Sequence, residues 1–414
     1  MTRDDPSKTR HGAVVIGGGV VGLAAAWHLM LLGCRPLALI ERFRIGHERG
    51  SSHGSARMTR STYASRAYAA LMSHVRDEEW PRLERAAGVK LVESRDVVFF
   101  GSDRATLGLY AAAVQAAGAD VEGLSPPEAR RRFPALRIPD DAEFLQDRTG
   151  GIIHAEETIR ALHRLVATGG STVLEDTRVL AVERLDRAIR IVSDRGVLEA
   201  DRAVIATGAW LPDLVPATRG ALAVVPQTVA YVRLGVPARS IQPLVHFSER
   251  TDTITYALAE IGRDVLKVGH HVTKGPGAGP DAVAAPGPGE VAALRASLDR
   301  ILAVPVREVI ASERCLYTMT ATEDFIVDRW PGDARVAFAS ACSGHGFKFA
   351  PLMGRLLAEL IVHGKAELPG GGDAASLFAG RDCRIGSAKS PAMKMSAIVF
   401  ATASALSGRD GSNQ

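Results

Sequence analysis

A glycine-rich turn between two short apolar segments constrains the fold of this chain more than any other feature. Residues 12–16 (GAVVI) and 36–40 (PLALI) have the composition of buried strands, and helix-forming residues occupy 20–32 between them. The turn reads GGGVVG, and its glycines at the GxGxxG spacing are Gly17, Gly19 and Gly22. Glu41 ends the second strand. The strands, turn, helix and acid together predict a βαβ dinucleotide-binding unit.

Each part of this unit has a physical role in binding a dinucleotide. Glycines let the backbone approach a pyrophosphate, and the amino end of the helix stabilises the anion. The acid at Glu41 accepts hydrogen bonds from ribose hydroxyls, which favours adenosine with a free ribose hydroxyl over a 2′-phosphate. We therefore expect a cofactor to contact the turn and its neighbours, including Val20, Val21 and Arg42.

The pattern of strands along the chain predicts two domains. The segments STVLE, TRVLAVERL and AIRIVS have the pattern of a β-meander, and DRAVIATGAW then ends a buried strand at Thr207 and Gly208. By analogy of fold, this arrangement completes the cofactor domain of flavoproteins, so flavin is favoured over nicotinamide. The chain returns to the same unit with a strand at 334–342 and a glycine-marked helix.

We therefore predict an α/β fold, α+β overall, in which an antiparallel-sheet substrate domain is inserted into a Rossmann-like FAD-binding domain. The FAD-binding domain comprises residues 11–92, 151–221 and 312–380. The substrate domain comprises residues 93–150 and 222–311, which are strand-rich and lack the βαβ rhythm. Residues 384–414 form a tail, for which a flexible segment and a docking helix are the alternatives.

Charge and cysteine content argue against several other classes. Fifty basic and 46 acidic residues leave a net charge of +4 without long basic runs, so we expect no nucleic-acid partner. The four cysteines are too widely spaced for a disulfide framework or a CxxC metal site, and we expect no metal. The polar first ten residues, and the glycines that interrupt the apolar stretch after them, predict neither a signal peptide nor a membrane span. We expect a cytoplasmic protein.

Four segments together resemble the monomeric sarcosine oxidase family, which belongs to the D-amino acid oxidase superfamily of flavoproteins. They are GGGVVG with Glu41, SSHGSARMTR at 51–60, CLYTMT at 315–320 and SGHGFKF at 343–349. The similarity extends from about residue 11 to about residue 365, whereas the loop at 272–289 and the tail match poorly. The resemblance implies an FAD enzyme that oxidises N-methylated or cyclic secondary amino acids.

The resemblance also implies which residues contact the flavin. Cys315 would carry the ring through a thioether, although a small buried thiol is the ordinary alternative. Arg57 would lie over the ring, and His53 beside it with Ser52 in the same segment, although a satisfied structural histidine is the alternative for His53. The backbone at Gly344 and Gly346, followed by Phe347 and Lys348, would approach the pyrimidine edge, where the amino end of a helix stabilises negative charge.

The substrate residues implied by the resemblance carry charge or an aromatic ring. Arg60 and Lys348 would clamp the carboxylate, although a solvated basic face and a surface lysine are the alternatives. Arg57 and Arg60, three apart, would share one face of a helical turn. In DVLKVGHH, Lys267 would reach the flavin N5 region and His271 the amine, with Tyr256 and Tyr317 as pocket walls. For Lys267 the alternative is a place on the exposed face of an antiparallel strand. Gly269 would leave room beside Lys267, while His270 replaces an aromatic residue common in the family.

These expectations lead to one function and two alternatives. We expect the enzyme to remove a hydride from the carbon next to a secondary or tertiary amine of a small amino acid, giving an imine, and dioxygen to become hydrogen peroxide. A dehydrogenase of the same fold would instead pass electrons to a quinone or an electron-transfer protein, with the apolar tail docked to a membrane surface. A cofactor-binding scaffold would not react with any amine. A monomer is expected.

Overall fold

The computed structural model describes residues 10–248, 253–275, 277 and 279–369. The predicted tail at 384–414, and residues 370–380 at the end of the predicted FAD-binding domain, lie outside the described residues. Among the residues described, no helix combines the length and apolar composition needed to cross a membrane.

The described chain contains strands and helices in the following order. The strands are β1 (Ala13–Ile16), β2 (Leu37–Ile40), β3 (Ala56–Thr59), β4 (Val92–Ser94), β5 (Val97–Gly101), β6 (Val121–Gly123), β7 (Glu143–Asp147), β8 (Gly151–His154), β9 (Thr172–Leu174), β10 (Val179–Arg184), β11 (Ile189–Ser193), β12 (Gly196–Ala200), β13 (Ala203–Ile205), β14 (Ala223–Leu234), β15 (Leu244–Ser248), β16 (Thr253–Ala259), β17 (Leu266–His270), β18 (Val306–Met319), β19 (Ile326–Trp330) and β20 (Asp333–Ser340). The helices are α1 (Val20–Leu31), α2 (Arg66–His74), α3 (Trp80–Ala87), α4 (Arg104–Ala116), α5 (Pro126–Arg132), α6 (Ala155–Thr168), α7 (Leu211–Leu214), α8 (Pro288–Ile301) and α9 (Ala350–His363).

A six-stranded sheet carries the predicted dinucleotide unit. Its order is β19-β20-β13-β1-β2-β9, and every neighbouring pair is parallel except β19 with β20. Its inner strands are apolar on both faces because helices α1, α6 and α9 cover one face and a three-stranded meander covers the other. Helices α1 and α9 cross closely at Gly354, where a Cβ would lie 2.5 Å from the backbone of Ala24. The predicted mixed α/β fold is confirmed.

The meander differs from its predicted composition. It consists of β10, β11 and β12, whereas the STVLE segment, predicted as its first strand, forms β9 at the edge of the parallel sheet. The prediction missed β12, which follows a tight turn at Gly196 with φ +134°. The segment 196–200 is short and mixes polar with apolar side chains, so its pattern alone does not distinguish a strand from a turn.

An eight-stranded sheet forms the other large layer, in the order β18-β14-β17-β16-β15-β5-β7-β6. All its neighbouring pairs are antiparallel except β15 with β5. One face packs against α5 and α8 in a second apolar core. Since side chains alternate along a strand, the other face is free to carry polar groups. Strand β18 runs through the predicted domain boundary at residue 311.

A small sheet of β3, β8 and β4 corrects the prediction for the two arginines of the SSHGSARMTR segment. Arg57 lies in β3 and pairs with Ile153 of β8, and Arg60 follows the end of β3. Residues three apart in extended chain point to opposite faces, so Arg57 and Arg60 do not share a helical face. Pairing with β8, about a hundred residues away in sequence, decides this conformation rather than local propensity.

Candidate active site

A cavity of about 2800 Å³ lies between the two large sheets. Small-molecule sites in proteins measure roughly 300 to 1,000 Å³, so this cavity has room for a dinucleotide and a substrate together. The β1–α1 turn lines one end, and side chains from β16, β17 and β18 line the other. The sequence therefore brings its two groups of candidate residues into one space.

The glycine turn has the geometry that requires glycine. Gly17 has φ +110°, and a Cβ there would lie 2.4 Å from the carbonyl oxygen of Ala206. Gly22 does not line the cavity; a Cβ at Gly22 would lie 1.9 Å from the carbonyl oxygen of Gly17. Gly19 precedes α1, and the Val20 amide donates to Ser52 Oγ over 3.2 Å. The amino end of α1 therefore meets the cavity with little side-chain bulk around it.

Glu41 is buried at this end of the cavity. Its carboxylate accepts hydrogen bonds from the Gly18 amide at 2.6 Å and the Phe43 amide at 2.8 Å. The neighbouring Arg42 pairs with Asp281 at 3.0 Å. The acid is thereby held at the end of β2, where the sequence pattern predicted it.

Two unpartnered hydroxyls show that the cavity suits a polar ligand such as FAD. Thr207 Oγ1 and Ser340 Oγ are buried without a hydrogen-bond partner in the described chain, and both residues line the cavity. A buried polar group without a partner is unfavourable, so a ligand with complementary groups stabilises it. The cofactor residues predicted from sequence, Gly22 excepted, all line the cavity: Gly17, Gly19, Val20, Val21, Glu41, Arg42, Ser52, His53, Arg57, Thr207, Gly208, Cys315, Gly344, Gly346, Phe347 and Lys348.

Gly344 and Gly346 form a tight approach to the far end of the cavity. Gly344 has φ +75°, and a Cβ there would lie 2.5 Å from the Tyr317 ring and 2.9 Å from the His271 ring. A Cβ on Gly346 would lie 1.7 Å from the Ala341 carbonyl oxygen. A short 3-10 turn and α9 follow directly. Only glycine allows the backbone to reach this position.

Cys315 lies on the cavity face of β18. Register pairs it with Gln227 of β14, which places it on the same face as Lys267 of β17. The thiol is in no disulfide. Burial raises its pKa, while the positive charges of Arg57 and Lys267 oppose that effect.

Arg60 and Lys348, the cation pair, lie together, and neither has an acidic partner in the part of the chain that the structure describes. The Lys348 ammonium donates to Tyr63 Oη at 3.1 Å and to the His345 carbonyl at 2.9 Å. The Arg60 guanidinium donates to the Thr62 carbonyl and lies 4.2 Å from the centre of the Tyr63 ring. In the described chain no carboxylate lies within 4.0 Å of either cation.

Lys348 is a buried residue with 5% exposure, so the alternative of a surface lysine is wrong. Burial lowers its pKa well below the ordinary value, and the positive charge of Arg60 adds to this effect. An anion placed between the two cations would oppose both causes. The charge of the cation pair is therefore suited to a small anion.

His271 and the two tyrosines face the same part of the cavity. His271 Nε2 lies 3.3 Å from Glu323 Oε2, and its ring centre lies 5.6 Å from that of Tyr317. A Cβ on Gly269 would lie 2.4 Å from the hydroxyl of Tyr256. The expectation that Gly269 leaves open room beside Lys267 is therefore wrong, because the Tyr256 phenol fills that space.

Lys267 lies in the middle of the eight-stranded sheet and is 5% exposed. Burial lowers its pKa to about 8, and the positive charge of Arg57 adds to this effect. Its ammonium makes no hydrogen bond to any described residue. A Cβ on Gly54 would lie 3.3 Å from Lys267 Nζ and 3.4 Å from Arg57 Nη1, so both cations approach this glycine.

An acidic side chain missed by the sequence analysis lies opposite His53. Glu313 Oε1 accepts a hydrogen bond from Tyr231 at 2.5 Å and lies 3.4 Å from His53 Nε2. Burial would raise the pKa of Glu313, but hydrogen bonds from His53 and Tyr231 lower it to about 2. Period two from Cys315 placed Glu313 on the cavity face, whereas its pairing with Tyr231 depends on register that a single sequence does not show.

Other residues missed by the sequence analysis complete the walls: Tyr63, Glu260, Glu323 and His345. Tyr63 and His345 surround Lys348, and Glu323 faces His271. Glu323 has φ +64°, a conformation that non-glycine residues adopt mainly at turns and functional sites. The positive φ of Glu323 marks it as a candidate site residue, and a sequence pattern does not show this conformation.

A dinucleotide turn and a cation pair with no acidic partner among the described residues share one cavity, an arrangement typical of an oxidoreductase that uses a bound dinucleotide. Residues 13–360 match the family model described as FAD dependent oxidoreductase, and the chain belongs to this family. It is therefore an FAD-dependent enzyme.

Its relatives include several enzymes named as oxidases. The chain is 28% identical over 378 residues to monomeric sarcosine oxidase from Arthrobacter sp. (strain TE1826), a match that covers 87% of this chain and 94% of that protein. It is 29% identical over 356 residues to N-methyl-L-tryptophan oxidase from Yersinia pestis (strain Pestoides F), which covers 83% and 93%. The solved structure of NikD, an amino acid oxidase essential for nikkomycin biosynthesis, has the same fold, with TM-score 0.78 at 23% identity, and covers 88% of this chain and 98% of NikD.

Proposed function

We propose that this enzyme oxidises a secondary or tertiary amino acid, either N-methylated or cyclic, to an imine and passes the electrons to dioxygen to form hydrogen peroxide. The observation that carries the proposal is the cation pair of buried Lys348 and half-buried Arg60, which has no acidic partner in the described chain and lies in the same cavity as the dinucleotide turn. The names of the two curated relatives, a sarcosine oxidase and an N-methyl-L-tryptophan oxidase, support the N-methyl amino acid class.

The cation pair would hold the substrate carboxylate. The planar guanidinium of Arg60 can form two parallel hydrogen bonds to a carboxylate, and Lys348 adds a point charge from the other side. With the acid end fixed there, the amine would reach His271, between the rings of Tyr256 and Tyr317. The bound flavin would accept the hydride from the carbon next to nitrogen.

The flavin would be held along the rest of the cavity and bonded to Cys315. The thiol is free of disulfides and lies on the face that carries Lys267. Its pKa is raised by burial, and the charges of Arg57 and Lys267 favour the thiolate that a thioether bond requires. Lys267 would assist dioxygen, because a fixed ammonium in a buried site stabilises the negative charge that develops on oxygen. The cytoplasmic location, the monomeric state and the two-domain division stay predictions.

Two measurements test this function. Sarcosine, other N-methyl amino acids, proline and pipecolate are added anaerobically to the purified holoenzyme, and bleaching of the flavin spectrum is recorded. We expect at least one of them to bleach the flavin, and air then to restore the colour with an equal amount of hydrogen peroxide. Bleaching followed by very slow recovery in air would indicate the dehydrogenase alternative. No bleaching by any amine would contradict the proposal.

A further inference from the structure

Glu260 is a buried acid on the wall of the cavity with one oxygen left free. The residue follows β16 and is 8% exposed. Its Oε2 accepts a hydrogen bond from Ser55 Oγ, and its Oε1 has no hydrogen-bond partner in the described chain. Its amide donates to the Val265 carbonyl at 3.0 Å, which closes the turn into β17. The carboxylate is thus fixed in place but only half satisfied.

Lys267 lies on the next strand, β17, and carries the charge opposite to that of Glu260. It is buried, it lines the same cavity, and its ammonium makes no hydrogen bond to any described residue. Ser55, which holds Glu260, follows Gly54 in the chain, and a Cβ on Gly54 would lie 3.3 Å from Lys267 Nζ. A buried carboxylate oxygen and a buried ammonium, both without a hydrogen-bond partner among the described residues, therefore lie around the same short segment. Each charge reduces the cost of burying the other.

The other charged groups around Lys267 do not provide this compensation. Arg57 of β3 is a second cation, and Arg263 in the β16–β17 turn is a third, located 5.8 Å from the Tyr231 ring. Glu313 of β18 is an acid, but Tyr231 and His53 already contact its carboxylate. Glu260 has only the Ser55 hydroxyl.

The remaining titratable groups that face Lys267 are the phenol of Tyr231 on β14, whose ring centre lies 5.9 Å from Lys267 Nζ, and the thiol of Cys315 on β18. Burial raises the pKa of both groups, so neither adds negative charge at neutral pH. Glu260 is therefore the acid whose charge remains available to the ammonium. Consistent with this, Glu260 is the strongest influence that raises the pKa of Lys267, against burial and Arg57, which lower it.

We propose that Glu260 is a positioning residue for Lys267: held by Ser55, its carboxylate keeps the Lys267 side chain in the ammonium form and directed towards the cofactor. This inference rests on the proposed function, in which the ammonium assists the reaction with dioxygen. Glu260 itself does not contact the reacting atoms. Its effect is to extend the pH range over which Lys267 carries its charge.

The first test measures the reoxidation of substrate-reduced holoenzyme by dioxygen between pH 6 and 10. The alkaline limb of the pH profile is the range in which the rate falls as the pH rises. In Glu260→Gln, this limb should begin roughly one pH unit lower than in the parent, which is the lower end of the pKa shift that a neighbouring opposite charge produces. Glu308→Gln removes the same charge from an exposed site on β18, where Glu308 pairs with Arg233, and should leave this limb in place. An unmoved alkaline limb in Glu260→Gln would overturn the proposal.

A second variant separates charge from structure. Ser55→Ala removes the hydrogen bond to Glu260 but keeps the carboxylate, so most of the alkaline limb should stay in place. If Ser55→Ala, which keeps the carboxylate, moved the limb further than Glu260→Gln, the effect would come from altered packing and not from the charge. That result would also refute the proposal.

The third test does not depend on enzyme activity. The free energy of urea unfolding is measured for the parent, Glu260→Gln, Lys267→Met and the double variant, at pH 7 and at pH 9.5. The two substitutions should couple at pH 7, where Lys267 is charged, and lose that coupling at pH 9.5, where it is neutral. Coupling that is absent at pH 7 would overturn the inference even in an active oxidase. A wild-type enzyme that is slow with dioxygen would instead refute the proposed function, while the unfolding cycle would still test the pairing.

Discussion

Burying Lys267 as an ammonium costs stability, and the size of that cost follows from its pKa. The pKa is about 8 in the folded protein against an ordinary value of 10.5. At about 1.4 kcal/mol for each pKa unit, the charged form is destabilised by about 3 kcal/mol at pH 7. Lys267→Met has a similar length and no charge. We therefore expect it to raise the free energy of unfolding by about 3 kcal/mol at pH 7.

The penalty for burying charged Lys267 depends on pH, and the direction of that dependence follows from the lowered pKa. The pKa is lowered on folding, so the penalty is fully present below pH 8 and disappears as the pH rises towards 10.5. At pH 9.5 the folded Lys267 is neutral while the unfolded lysine is still mostly protonated, and the penalty falls to about 1.4 kcal/mol. The gain from Lys267→Met should therefore shrink by about 2 kcal/mol between pH 7 and pH 9.5.

Urea unfolding of the parent and Lys267→Met at the two pH values measures this difference. Packing changes caused by the methionine are the same at both pH values, so they cancel in the comparison. Lys267→Arg keeps its charge at pH 9.5 and should show no relief there. A gain that is equal at pH 7 and pH 9.5 would show that the pKa of Lys267 is not lowered on folding, and would refute this reasoning.

Three further predictions concern ligands. Acid precipitation should leave a yellow protein pellet, and Cys315→Ala should release the colour; a white wild-type pellet would contradict the covalent bond. Arg60→Ala should weaken amino acid binding by about ten- to a hundredfold, since a charge-assisted hydrogen bond contributes roughly 1.5 to 3 kcal/mol; equal loss for an N-methylamine without a carboxylate would show a structural role instead. Burial lowers the pKa of Lys348, and a bound carboxylate raises it, so binding of a carboxylate inhibitor should take up a proton. The affinity should weaken by up to about tenfold per pH unit as the pH rises above the pKa of Lys348 in the free enzyme. An affinity that calorimetry shows to be independent of pH, and that is unchanged in Lys348→Met, would oppose this.

The sequence alone predicted the parts of this enzyme whose conformation depends on nearby residues. The βαβ unit, the glycine turn and the acid at Glu41 follow from patterns within about thirty residues. Gly17 must adopt φ +110° and Gly22 must pack against it, which is why both glycines stand out in the sequence. The strand that carries Lys267 was also recognisable, because its apolar residues alternate with the others.

The tertiary structure decided which faces and partners these residues have. Arg57 and Arg60 lie in and after a strand because β8 pairs with β3, and the side of β17 that carries Lys267 is buried by the segment around Gly54. Glu260 and Glu313 became part of the site only when β16 and β18 took their positions beside β17 and β14. A strand's period of two is the same whichever neighbour it pairs with and whichever face is covered. The register between distant strands, and hence the charges that share the cavity, is set by packing over the whole chain rather than by any local pattern.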